Sequence, residues 1–314
     1  MLEYPRFDPR AVGPTVACGR ARCSVERRAT WRFGRICSVT DDLARTCWDR
    51  FPVSFVRQNL QPFGPEIWIA DGPVASFYGF PYSTRMAVIR LSDGSLFVWS
   101  PVALSTALRA AVDALGPVRH LVSPNALHHL FLADWTSAYP EARLYASPRL
   151  RRKRRDLSFN AELGDAPEPA WAGDIDQVVL HGSFALTEIV FFHRHSRTAL
   201  FADLIQNFPR DWFKGWRGVA ARLGGIVAPH PSTPSDWRSS FVNRRAARAA
   251  LARVLAWPIE RVVIAHGLSR TADGAAFVRH AFAWLLRRDR GAEQPNDNRH
   301  LVPSRSPWRA SDVA

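Results

Sequence analysis

The chain has 314 residues, 47% of them hydrophobic, with 12 tryptophans and 19 phenylalanines. This composition supplies a large buried core and excludes an intrinsically disordered protein. No stretch approaches the roughly 18 uninterrupted apolar residues of a membrane-spanning helix. The amino terminus also lacks the order of a secretory signal, so the sequence predicts a cytoplasmic protein with no membrane span.

The net charge of +14 comes from 42 basic against 28 acidic residues. The arginines are dispersed along the chain. This indicates a general excess of arginine in the composition and not a binding face, so no specific nucleic-acid partner is predicted. One dense run, Arg149–Arg155, suits phosphate contacts, but such runs are usually solvated surface.

The chain divides into three parts by its pattern. Residues 1–64 show no clear period and are predicted to be an irregular N-terminal extension. That part contains all four cysteines, at spacings that match no zinc-ribbon pair, so they are expected to be reduced thiols. Residues 290–314 are polar and Pro-rich, as in a disordered tail, and residues 65–289 form the predicted working domain.

Strands and helices alternate along this domain. The predicted elements are strands 66–72, 85–91 and 95–101, helix 103–116, strand 118–124, helix 126–139, strands 142–148, 177–182, 187–195 and 198–205, helix 242–257, strand 261–267 and helix 274–288. Such alternation predicts an α/β fold in which helices cover the sheets.

Histidine and aspartate follow several of the predicted strands. They are His128, His129, His181, Asp203 and His266. A polar side chain placed directly after four apolar residues is costly to bury unpaired, so each needs a partner. Taken singly, each histidine is typical of a structural residue, but imidazole and carboxylate together are the ligand set of zinc or iron. The aromatic segment 208–216, shortly after Asp203, is expected either to wall such a site or to pack a surface helix.

Four motifs in residues 66 to 288 resemble the family catalogued as domain of unknown function 4336. They are PNALHHLFLADW, YPEARLYASP, FADLIQNF and VVIAHG followed by an Ala-Phe-Trp helix. The order of the ligand-type residues also resembles the metallo-β-lactamase-like superfamily. The resemblance implies an α/β fold of the metallo-β-lactamase-like type, a four-layered αβ/βα sandwich.

The turn after strand 118–124 departs from the superfamily pattern His-x-His-x-Asp-His. Pro124 and Ala126 stand where the first two histidines would hold one metal, and His128 stands in place of the Asp. The first site therefore keeps only two ligands, so the resemblance implies one divalent ion, zinc or iron, in the second. The metal ligands implied across both positions are His128, His129, His181, Asp203 and His266.

Two functions stay open from the sequence. One is a mononuclear metal-dependent hydrolase of a small-molecule ester, thioester or amide, with Asp203 as the catalytic residue beside a bound water. The other is a non-catalytic binding or scaffold domain of the same fold, in which the histidines bond the backbone. Metal content distinguishes the two. No motif for a nucleotide cofactor or a serine nucleophile is present.

Overall fold

A computed structural model of the chain describes residues 59–287. The predicted tail, the four cysteines and the predicted extension up to residue 58 lie outside the described residues. The last part of that predicted extension is not irregular, because Gln61–Gly64 form a strand that pairs with the next one along the chain. No helix in the described part of the chain has the length and apolar character needed to cross a bilayer.

The strands of residues 59–287 form two sheets. The first has seven strands in the order β1 to β7: β1 (Gln61–Gly64), β2 (Ile67–Phe77), β3 (Phe80–Arg90), β4 (Leu96–Trp99), β5 (Val118–Val122), β6 (Arg143–Ala146) and β7 (Ala161–Glu162). The second has four strands in the order β11-β10-β9-β8: β8 (Ile175–Leu180), β9 (Glu188–His193), β10 (Thr198–Phe201) and β11 (Arg261–Ile264). The strands from β4 to β7 run parallel, as do β10 and β11.

Helices connect the strands and cover the sheets. They are α1 (Thr106–Asp113), α2 (Leu132–Ala138), α3 (Leu150–Lys153), α4 (Trp216–Leu223), α5 (Ser235–Ser239), α6 (Arg244–Leu255), α7 (Gly274–Ala281) and α8 (Ala283–Leu286). The predicted helix 274–288 is divided at Phe282 into α7 and α8. The predicted helix 126–139 begins only at Leu132, and the residues before it form a turn.

Three buried apolar clusters mark the three interfaces of a four-layered sandwich. Alternation along β3 shows how the sequence builds them: Met86 and Val88 face α1 and α2, whereas Ala87 and Ile89 face the second sheet. The outer face of the second sheet packs on α6, α7 and α8. Strands covered on both faces are continuous apolar runs, as the sequence pattern predicts. The layer order is helix, sheet, sheet, helix, and the predicted fold class is confirmed.

The topology brings several strand ends to one edge of the sandwich. Because β4, β5 and β6 are parallel, the segments after them emerge together, and the same holds for β10 and β11. The turn after β5 also reaches the second sheet, where the Ile189 amide donates to the Pro124 carbonyl at 2.8 Å. This edge therefore gathers side chains from both sheets.

Candidate metal centre

His128, Asp203 and His266 meet at this edge. His128 lies in the turn after β5, and Asp203 and His266 follow β10 and β11 by two residues each. One potential ligand atom from each lies within 4.8 Å of the other two, and no other such group of His, Cys, Asp or Glu occurs in residues 59–287. Their side chains are 9%, 7% and 8% exposed, respectively. Polar groups buried this deeply require partners.

The Asp203 carboxylate lies between the two imidazoles. Its Oδ2 is 3.2 Å from Nε2 of His128, and its Oδ1 is 3.3 Å from Nε2 of His266. The two imidazole rings lie 5.3 Å apart, centroid to centroid. Both histidines therefore present the same nitrogen to one carboxylate.

A carbonyl group sets the tautomer of His266. Nδ1 of His266 lies 2.6 Å from the carbonyl oxygen of Ser83, on β3. Because a carbonyl only accepts hydrogen bonds, Nδ1 must carry the proton and donate it. A neutral His266 then presents the Nε2 lone pair to the Asp203 carboxylate. Two lone pairs 3.3 Å apart repel each other unless a proton or a metal cation lies between them.

The loop that carries His266 is anchored to β3 by several contacts. The Gly267 amide donates to Ser83 Oγ at 3.1 Å, and Arg85 donates to the Gly267 carbonyl at 2.7 Å. Gly267 has φ +104°, and a Cβ there would collide with the Asn207 carbonyl, so only glycine fits. The rings of Tyr82 and His266 pack edge to face, with their centroids 5.2 Å apart. These contacts fix the direction of the imidazole.

His128 is oriented by the strand next to its own. Its Nδ1 lies 2.7 Å from Oγ of Ser100, which directly follows β4 and has a positive φ of 52°. The Ser123 hydroxyl donates to the His128 carbonyl at 2.7 Å. The Nε2 atom is thereby directed at Asp203.

Beneath Asp203 lies a buried Glu188, which the sequence interpretation missed. Its carboxylate accepts the backbone amides of residues 202 and 203 at 2.8 and 2.7 Å, and that of residue 204 at 3.3 Å. The Nδ2 atom of Asn125 bridges the two acids, at 3.0 Å from Glu188 and 2.7 Å from Asp203. Asn125 was also not predicted. The available signal was an acidic residue that opens the apolar run EIVFF.

The surroundings of the two carboxyl groups shift their pKa values in opposite directions. Burial, and then the charge of Asp203, raise the pKa of Glu188 to about 7. Burial also opposes ionisation of Asp203, but the charges and hydrogen bonds of His128 and His266 outweigh it and hold the Asp203 pKa well below its usual range. Asp203 is therefore the more readily ionised of the two.

The family model of the domain of unknown function DUF4336 matches residues 66–215. The matched segment is slightly less than half of the chain, and over it the chain is similar to this family. The match contains His128 and Asp203 and ends before His266. The predicted resemblance is thus confirmed for these residues. No curated protein sequence matches this chain.

Solved structures of the metallo-β-lactamase fold are similar to the chain. The DIM-1 metallo-β-lactamase exposed to ceftazidime is 14% identical with a TM-score of 0.51, covering 74% of this chain and 98% of that one. The protein VMB-1 is 8% identical with a TM-score of 0.52, covering 74% and 98%. A flavoprotein from Thermotoga maritima is 11% identical with a TM-score of 0.51, covering 74% and 61%. At such identities the comparison shows a common fold.

His129, although adjacent to His128 along the chain, does not join the group. Arg154 donates to its carbonyl at 2.7 Å and lies 3.2 Å from its Nδ1. A guanidinium only donates, so Nδ1 of His129 accepts and is occupied. Burial, and then the charges of Lys153 and Arg154, lower the pKa of His129 to about 3.

His181 also lies apart from the group. Its side chain is 55% exposed, and its contact is Asp165, with Nε2 and Oδ2 3.6 Å apart. Asp165 in turn pairs with Arg253 at 2.9 Å. Of the five residues predicted from the sequence, the structure therefore brings three together and leaves two with other partners.

The three grouped side chains fit a divalent ion. Two neutral imidazole nitrogens and a carboxylate are ligands common to zinc and to non-haem iron. Adjacent ligand atoms of a tetrahedral ion with bonds near 2.05 Å lie about 3.3 Å apart. The nitrogen-to-oxygen separations of 3.2 and 3.3 Å are of that length but reach different carboxylate oxygens, Oδ2 from His128 and Oδ1 from His266. A cation would also relieve the opposed lone pairs of His266 and Asp203.

Proposed function

We propose that this chain is a mononuclear metal-dependent hydrolase that acts on a small-molecule ester, thioester or amide. The observation that carries the proposal is the convergence of three buried ligand-type side chains: Nε2 of His128 and Nε2 of His266 face the Asp203 carboxylate at 3.2 and 3.3 Å. A zinc or iron ion bound by these three side chains would pair both imidazole nitrogens and the carboxylate with a cation.

The residues of the site have separable roles in this proposal. His128, Asp203 and His266 hold the ion, and Ser83 and Ser100 direct the two imidazoles through Nδ1. The Ser83 carbonyl fixes the tautomer of His266, whereas the Ser100 hydroxyl, which can donate or accept, orients the ring of His128. Three protein ligands leave an open coordination position, where a divalent ion lowers the pKa of water and polarises a carbonyl oxygen.

Asp203 is the proposed catalytic residue as well as a ligand. In the chain without an ion, the charges and hydrogen bonds of His128 and His266 hold its pKa well below its usual range, and a bound cation would also favour the ionised carboxylate. Glu188 and Asn125 hold its backbone and its Oδ2 atom, so the carboxylate stays in place when charge develops beside it.

A non-catalytic domain is the second candidate, and the near-complete burial of the three ligands favours it. In that case His266 is protonated and forms a structural ion pair with Asp203. No metal is then needed to explain the geometry.

Metal content of the purified full chain tests the proposal. After chelation and reloading with zinc or iron(II), mass spectrometry is expected to find one ion per chain in the wild type and none in His266→Ala. The control His181→Ala, which removes the exposed histidine, is expected to keep the ion.

Hydrolysis of p-nitrophenyl esters and thioesters by the reloaded proteins then tests turnover. The wild type and His181→Ala are expected to be active, and His266→Ala inactive. A wild type that binds no ion after reloading would contradict the metal site and favour the non-catalytic domain. A wild type that binds the ion but hydrolyses no substrate would contradict the hydrolase proposal and leave the metal site standing.

A further inference from the structure

Four large apolar side chains are exposed together on one surface of the described residues. They are Tyr78 (88% exposed), Trp216 (64%), Val219 (55%) and Leu223 (79%). We call them the α4 patch. The last three follow one another on α4 at intervals of three and four residues and thus lie on one helical face.

Helix α4 differs from an ordinary surface helix because its larger apolar side chains face solvent and its small residues face the protein. Its buried residues are the small ones, Gly218 and Ala221, and its larger apolar side chains point to solvent. A Cβ at Gly218 would lie 2.8 Å from the Phe213 carbonyl, so close packing on the inner side requires a small residue. Apolar area left in water is an unused source of binding free energy.

The hairpin of β2 and β3 holds Tyr78 next to α4. Arg217 Nε donates to the Gly79 carbonyl at 2.8 Å, and the rings of Phe80 and Trp216 lie 5.4 Å apart. The predicted aromatic segment 208–216 therefore packs the hairpin against this helix. The patch is built on two braced elements.

Positive charge surrounds the patch. Arg210, Lys214 and Arg222 are exposed, and α4 itself contains no acidic residue. The guanidinium of Arg217 lies over the Trp216 ring at 4.9 Å. In the segment 210–223, four basic residues stand against Asp211 alone. This charge complements an anionic surface, whereas two copies of the patch facing each other would bring like charges together.

We propose that the α4 patch binds the surface of an anionic lipid bilayer. Trp216, Val219 and Leu223 would enter the boundary between headgroups and acyl chains, where tryptophan and tyrosine are favoured. The surrounding arginines and lysine would contact lipid phosphates. The chain would lie on the membrane without crossing it.

Flotation of the full chain with lipid vesicles tests this proposal. Wild-type protein is expected to float with vesicles of phosphatidylcholine and phosphatidylserine, and at least about tenfold less with phosphatidylcholine alone. The double variant Trp216→Ser, Leu223→Ser is expected to lose at least about tenfold in partition to the anionic vesicles.

Val242→Ser is the matched control, because Val242 is 74% exposed and belongs neither to α4 nor to the β2–β3 hairpin. It is expected to bind like the wild type, and circular dichroism checks that all variants are folded. Equal binding by the double variant would assign the effect to bulk charge and overturn the proposal, as would absence of binding. Concentration-dependent dimerisation that the double variant abolishes would assign the patch to a second copy instead.

Discussion

His266 and His181 both follow an apolar strand of the four-stranded sheet, yet only His266 faces a metal-type partner. His266 is almost buried, and a carbonyl from the other sheet fixes its tautomer. His181 is half exposed, and a surface contact with Asp165 is what holds it. Surface ion pairs contribute little, so they orient a side chain weakly. A ligand-type residue at a strand end forms a site when another element fixes its direction.

The neighbouring residues of the β5 turn show the same contrast. The imidazole of His128 bonds Ser100 and faces Asp203, whereas that of His129 bonds Arg154. Asn125 creates this difference, because its Oδ1 accepts the Leu127 amide and its Nδ2 reaches both acids. The turn replaces the first part of the predicted helix 126–139.

The largest expected effect comes from removing Glu188, the carboxylate that holds the backbone at Asp203. Glu188→Ala leaves buried amides without an acceptor, so the free energy of unfolding is expected to fall by about 3–5 kcal/mol in urea titrations. Asp165→Ala, at the exposed His181, is the control and is expected to cost about 1 kcal/mol. Equal losses would show that the two regions are supported alike.

Acid is expected to act on the opposite end of the sandwich, at His193. Burial lowers the pKa of this residue to about 4, whereas the unfolded chain titrates near 6.5. As pH falls from 6.5 to 4, the unfolded state binds a proton that the folded state does not bind. The free energy of unfolding therefore decreases by up to roughly 3 kcal/mol. At higher pH both states are neutral and the contribution vanishes.

Urea unfolding at several pH values, with chelator present, measures this effect apart from any metal. His193→Gln is expected to reduce the decrease between pH 6.5 and 4, and the part that remains belongs to His120 and His129, whose pKa values burial also lowers. An unchanged slope in that variant would assign the acid sensitivity to other groups.

A smaller effect is expected from the amide that bridges the acids. Asn125→Ala removes the hydrogen bond to Asp203 Oδ2, and zinc affinity is expected to weaken by about 10–100-fold in competition with a chromophoric chelator. Asn243→Ala removes the N-cap of α6 and should cost about 1 kcal/mol of stability while affinity stays constant. Parallel losses of affinity in both variants would indicate general destabilisation.

The smallest effect is expected at His129. His129→Ala should leave metal affinity within about twofold of the wild type, because its Nδ1 is occupied by Arg154 and it lies outside the group of three. Isothermal titration with zinc checks this. Loss of the ion would return His129 to the ligand set that the family resemblance implies.

Local sequence determined the layers and the places where chemistry could occur. The apolar runs VVIA and ALFA form most of β11 and β10 and the residue after each, and His266 and Asp203 follow them as predicted. The reason is physical: a strand buried on both faces must be apolar throughout, and its first polar residue marks its end. The alternation of strands with helices likewise determined the α/β class.

Tertiary structure decided which of these polar residues meet. The groups that direct the two imidazoles, Ser100 and Ser83, lie 28 and 183 residues away from His128 and His266 along the chain. No local pattern contains such a pairing, because it depends on how two sheets face each other. The same reason explains why Glu188, at the start of an apolar strand, became recognisable as the support of Asp203 only in the folded chain.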